Sequence, residues 1–146
     1  PHGGRVRLYG ADNYDRLRGI YLDGVILDEY ADMDPRVWPE VLRPALSDRR
    51  GWACFIGTPK GRNDFWKMHT HAEQNPEWFA MTLRADESGL LDAEELRDAQ
   101  STMTPEQYAQ EYLCSFNAAI LGAFYALEMA ALRKSDRIVE FDKSRE

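Results

Sequence analysis

Gly24-Val25-Ile26-Leu27-Asp28-Glu29 is the stretch from which the fold can be read. Three large apolar residues predict a strand, and two adjacent carboxylates end it. Burying an unpaired carboxylate costs several kcal/mol, so the acids belong at the strand's exit. At the carboxyl edge of a parallel sheet such groups stand where ligands bind. The next apolar run, residues 52–56 (WACFI), ends in a second special loop, Gly57-Thr58-Pro59-Lys60-Gly61. Both glycines permit tight backbone, and Pro59 removes an amide and stops the strand. Thr58 follows Glu29 by 29 positions, room for one helix and a return strand. The spacing therefore predicts that both loops share one sheet edge. The near-continuous apolar character of both runs predicts strands covered on both faces.

Outward from this centre, residues 6–11 (VRLYGA) and 78–83 (WFAMTL) read as two further strands, and the first central strand reaches back towards Tyr21. A helix is predicted over 35–46, with Asp34 as its cap, Pro35 in its first turn, and Val37, Val41 and Ala45 on one face. Pro39 and Pro44 predict that it is short or broken. Residues 63–73 form a second helix that brings Phe65, Trp66 and His69 near one another. Asp92 with Glu95, and Thr104 with Gln107, have capping-box spacing and open helices to about Gln100 and Cys114. Strands alternating with helices predict an α/β layered sheet. After about Ser115 the alternation weakens: residues 116–121 (FNAAIL) read as a strand or an exit segment, and 133–146 are polar.

The 146 residues suit one ordinary domain, and 44% hydrophobic with 29% charged residues is globular. Twenty-five acidic against 18 basic side chains leave a net charge of −7. A general basic surface for nucleic acid would need the opposite balance. The first 70 residues are nearly balanced and the remainder carries the acidity, so a polyanion site belongs in the first half. No run approaches the roughly 18 apolar residues of a membrane span. Cys54 and Cys114 stand far apart, with no second pair to make a zinc site or a disulfide framework, and read as buried apolar side chains in a reducing compartment. His69 and His71, two apart on one helix, do not share a face and are not a metal pair. Trp66, Trp78 and Phe79 read as core; Lys60, Arg62 and Lys67 read as a solvated basic group.

The chemistry of the central motifs is specific. An Asp leaving such a strand can hold Mg²⁺, as the second acidic site of P-loop NTPases does. The adjacent Glu, on the strand's other side, can orient or deprotonate a water. A hydroxyl at Thr58 can sense a γ-phosphate and pass its loss to a moving segment. Each motif alone is also compatible with an acidic turn or a plain strand-to-helix turn.

Together, and in this order, they resemble the large terminase subunit of tailed bacteriophages, an ATP-driven DNA-packaging motor and nuclease. The resemblance covers roughly residues 5–142. It rests on Leu17-Arg18-Gly19, residues 25–33 (VILDEYADM), Gly57-Thr58-Pro59-Lys60-Gly61 with Asn63, Phe65 and Trp66, Cys114-Ser115-Phe116, and Gly122-Ala123-Phe124-Tyr125. It implies a partial P-loop NTPase fold of the RecA-like class that carries an extra catalytic glutamate: a parallel sheet with flanking helices, then a helical linker. Residues 1–115 would be the back half of the ATPase domain, and 116–146 a linker towards an absent nuclease domain. By the same resemblance Asp28 is the Walker B magnesium ligand, Glu29 the catalytic glutamate, and Gly57-Thr58-Pro59 the coupling motif. Arg18, eleven residues before Glu29, is a candidate arginine finger reaching a neighbouring subunit's nucleotide, with Arg16 as its rival. The implied cofactors are ATP and Mg²⁺. The implied partners are double-stranded DNA, the small terminase subunit, the portal protein and further copies in a ring, in the host-cell cytoplasm and without a membrane.

No G-x-x-x-x-G-K-[ST] phosphate loop occurs in the chain. The expectation is that this loop lies upstream of Pro1, that the first nuclease strand follows Asp142, and that the isolated chain is inactive. A helicase-like ATPase fragment and a non-catalytic α/β interaction module are the alternatives.

Overall fold

The computed structural model describes residues 3–117 together with Leu132 and Ser135. The segments 122–125 and 137–142 singled out above, and most of 116–121, lie outside the described residues. The chain divides into two compact units, Pro1–Thr82 and Leu83–Glu146.

The first unit is built on two parallel strands, β1 (Gly24–Leu27) and β2 (Trp52–Phe55), paired Gly24 with Trp52 through Leu27 with Phe55. The predicted helix between them is present in two parts, a π-helical turn Val37–Leu42 and then α1 (Arg43–Ser47). Pro39 and Pro44 lack the amides that a regular α-helix would use, and the Arg43 amide reaches back five residues to the Trp38 carbonyl. Asp34 supports the entry: its side chain accepts from the Arg36 amide at 2.9 Å, and its carbonyl accepts from the Val37 amide at 3.0 Å. Val37, Val41, Leu42 and Leu46 bury the inner face. With Leu17, Leu27 and Tyr30, the first three form one apolar cluster. Beyond β2, α2 (Asp64–Gln74) is capped by Asn63.

Four sequence expectations are corrected here. Residues 6–11 and 78–83 are not strands. Their β-prone composition finds no partner ladder among the described residues, and Val6 is 93% exposed. The central strands are not covered on both faces either, since Ile26 and Trp52 are more than half exposed. The Trp52 ring lies across Gly24, where a side chain would otherwise stand. Phe79, expected in the core, is 83% exposed. Cys54 and Cys114 are half-buried free thiols rather than core residues.

The second unit contains α3 (Ala85–Ser88), α4 (Ala93–Thr102) and α5 (Pro105–Glu111). Asp92 caps α4 through the amides of Glu94 and Glu95. Thr104 and Gln107 form the complete reciprocal box at α5. Ala99 and Tyr108 are buried, and Tyr108 stacks on Tyr112 one turn later, their ring centres 5.0 Å apart. Cys114 takes a left-handed conformation (φ 54°), and the following Ser115 amide closes back on the Ala109 carbonyl, ending α5.

Candidate active site

At the exit of β1, Leu27 is buried and the next two residues turn outward to solvent. Glu29 adopts a left-handed backbone (φ 53°, ψ 42°), uncommon for a residue with a side chain. Two bonds hold that turn: the Glu29 amide donates to Asp28 Oδ1 at 3.1 Å, and the Asp32 amide to the Glu29 carbonyl at 2.9 Å. Tyr30 anchors it from below. Its ring is buried edge-on against Phe55 (4.8 Å between centres) and Phe65 (6.0 Å). Burial, with a smaller contribution from the Asp64 carboxylate, pushes the Tyr30 phenol up to about 12.

The ladder continues one step past β2. The Ile56 amide donates to the Leu27 carbonyl at 2.9 Å, and the Tyr30 amide donates to the Ile56 carbonyl at 3.0 Å. This sets Gly57 against the backbone of Glu29. A Cβ on Gly57 would lie 3.2 Å from the Tyr30 nitrogen and 3.3 Å from Glu29 Cα, at a φ (+158°) that side chains rarely adopt. Thr58 follows directly, half-buried, ahead of buried Pro59 and Gly61. Asp28, Glu29, Gly57 and Thr58 thus meet at one edge of the sheet, which is the juxtaposition the spacing predicts.

Two side-chain ties cross the same junction. Lys60 Nζ bonds both oxygens of Asp32 at 2.6 Å, and Asn63 Nδ2 donates to the Ala31 carbonyl at 3.0 Å. Neither is anticipated from the sequence, although a signal exists. The strand register pairs each residue with the one 28 later, and Asp32 and Lys60 keep that same offset. Of the other basic residues grouped with Lys60, Lys67 pairs with Asp64 at 2.8 Å and Arg62 lies over the Trp66 ring.

Arg18 is placed elsewhere. It follows a 3₁₀ turn (Tyr14–Leu17), and its guanidinium is held by Asp15 Oδ1 at 2.9 Å, the Glu40 carbonyl at 3.3 Å and Glu40 Oε2 at 3.4 Å. The bond to Asp15, followed by the neighbouring carboxylate charges, raises its already high pKa. It remains exposed, on the rim of a shallow groove shared with Tyr21, Glu40, Val41 and Pro44. Arg16 is exposed on the same turn. Among the described residues no group of three or more His, Cys, Asp or Glu side chains could hold a metal, and His69 bonds Thr82 at 3.1 Å. No helix among them is long and apolar enough to cross a membrane.

A parallel sheet with flanking helices, and an acidic pair beside a Gly-Thr-Pro loop at its carboxyl edge, define a partial P-loop NTPase-type α/β fold. The chain is homologous to phage large terminase subunits. It is 54% identical over 58 residues to the large terminase subunits of Thermus phage G20c and Thermus virus P23-45, a match covering 40% of this chain and 12% of each relative. It is 27% identical over 120 residues to that of Escherichia phage T5, covering 80% of this chain and 27% of the relative. The large terminase ATPase domain of Thermus phage P74-26 superposes with a TM-score of 0.67 at 30% identity, over 73% of this chain and 48% of that one. An arginine-to-alanine mutant of that domain matches equally well, with a TM-score of 0.66. The chain therefore spans about half of the solved domain and a smaller share of the full-length relatives. No protein-family model matches it.

Proposed function

We propose that these residues are the acidic half of an ATPase site in a DNA-packaging terminase. The observation that carries this reading is the contact of Gly57 with the Glu29 backbone, which sets Thr58 beside the acidic pair. The site offers hard oxygen donors of the kind Mg²⁺ prefers: an exposed Asp28 carboxylate, oriented by the Glu29 amide, and the Thr58 hydroxyl. Asp28 and Thr58 would hold Mg²⁺, which when bound would supply charge neutralisation for a phosphate. Asp28 supplies the ligand oxygen. Glu29, turned outward by its left-handed backbone, orients the attacking water and takes its proton. Thr58, sharing a backbone junction with Glu29, senses the γ-phosphate and relays its loss, with Gly57 allowing the close approach.

Arg18 serves a neighbouring copy rather than its own site, consistent with its exposure and with its engagement by Asp15 and Glu40 away from the acidic pair. In this reading the parent protein works in the host cytoplasm as a ring on double-stranded DNA, with the small terminase subunit and the portal protein. Residues 1–115 are the back half of the ATPase domain, and 116–146 the linker. With no phosphate loop of its own, the isolated chain turns over no ATP.

The test is Glu29→Gln in the full-length protein. Binding of MgATP should stay within a few-fold of wild type while kcat falls by about 10²–10⁴, the usual span of general-base catalysis. Wild-type turnover in that variant would remove Glu29 from the reaction.

A further inference from the structure

We propose that Asn63 is a positioning residue for the catalytic glutamate, joining helix α2 to the turn that aims Glu29. This rests on the role assigned to Glu29 above. The Asn63 amide is used at both ends. Its Oδ1 accepts from the Phe65 amide (3.1 Å) and the Trp66 amide (3.3 Å), capping α2. Its Nδ2 donates to the Ala31 carbonyl (3.0 Å), two residues beyond Glu29 and 32 positions away in sequence. The tie is part-buried and therefore shielded from competing water.

Side-chain chemistry makes the double use specific. Ser, Thr, Asp and Asn all cap helices, as Asp92 and Thr104 do in this chain. A carboxylate has no hydrogen to donate onward, and a hydroxyl is shorter than the amide fork. Only Asn both accepts from the helix and donates across to Ala31. Its counterpart is the turn itself. The exposed Glu29 carboxylate takes its direction from the backbone of residues 29–32, closed by the Asp32 and Met33 amides on the Glu29 and Tyr30 carbonyls. Tyr30, packed on Phe65 of α2, lies between the two anchor points. A displacement of α2 therefore shifts the Glu29 backbone through Asn63, and a change at Glu29 is transmitted to α2 by the same route.

Asn63→Asp separates the two uses, because it keeps the capping oxygen and replaces the donor with an oxygen facing the Ala31 carbonyl. In the full-length protein the variant should stay folded, with an unfolding midpoint lowered by the lost bond, and show a KM for MgATP within about threefold of wild type. Its kcat should fall at least tenfold, as misplacement of a reacting group by about 1 Å commonly costs 10²-fold. Asn63→Ser, a neutral cap of shorter reach, should show the same split between KM and kcat, and it decides the matter if the Asp variant does not fold. Turnover within twofold of wild type in a folded variant overturns the inference. Glu29→Gln is assayed in parallel. If it is inactive while Asn63→Asp is fully active, only the role of Asn63 fails; if it is fully active, the reading of the site fails and this inference with it.

Discussion

Glu29 and Gly57 are best understood as one unit. The left-handed turn at Glu29 is held by hydrogen bonds on both sides, and Gly57 lies close against the backbone of Glu29 and Tyr30. Gly57→Ala should therefore act at both residues. The added methyl presses on Glu29 Cα and the Tyr30 amide and weakens the bond from Tyr30 to Ile56. The expected loss is about 1–3 kcal/mol of stability, the range for a strained backbone or an overpacked contact. Urea unfolding measures it, and an unchanged midpoint would mean the loops separate easily. Tyr30 titrates from the same junction. Its phenol loses its proton near 10 in the unfolded chain and near 12 when folded, so the folded state holds the proton more tightly. That contribution is complete below pH 10 and is lost as pH rises from 10 to 12. Tyr30→Phe should flatten this alkaline decline in a pH series of unfolding midpoints.

Helix ends were legible because capping is local. Asp92, Thr104 and Gln107 cap α4 and α5 as their spacing predicts, and Thr104→Ala should cost about 1 kcal/mol, visible as a lower thermal midpoint. The prolines at 39 and 44 likewise announced an irregular helix, although not that it would widen to a π turn. Strands were less legible. Residues 6–11 and 78–83 have strand composition, but a strand exists only where a neighbour supplies its ladder, and that lies outside the segment itself. Lys60 and Asp32 meet because the parallel pairing of the strands brings the two loops that follow them to the same edge. Their carboxylate–ammonium pair is about half exposed, so it guides the loop more than it stabilises the fold.

Across the whole chain, the near-neutral first half contains the candidate site and the second half carries the acidity. The two units are separately built, the first around a sheet and an aromatic cluster, the second around paired helices. Arg18 belongs to this scale, since its proposed role needs a second copy. Arg18→Ala and Glu29→Gln full-length proteins should each be inactive alone and recover part of the ATPase rate when mixed, because one interface then combines an intact arginine with an intact glutamate. Absence of recovery in a mixture shown to co-assemble would assign Arg18 a role within its own subunit.

The sequence alone determined the order of the parts: an apolar run ending in two carboxylates, a second ending in Gly-Thr-Pro, and helices opened by identifiable caps. Those features depend on neighbours a few residues away, where side-chain size, charge and backbone freedom act directly. The tertiary structure decided which runs became strands, the left-handed turn at Glu29, and the placing of Asn63 and Lys60 against that turn. These depend on which backbone donors and acceptors remain unpaired once the chain has folded, and on which residue the register brings opposite them.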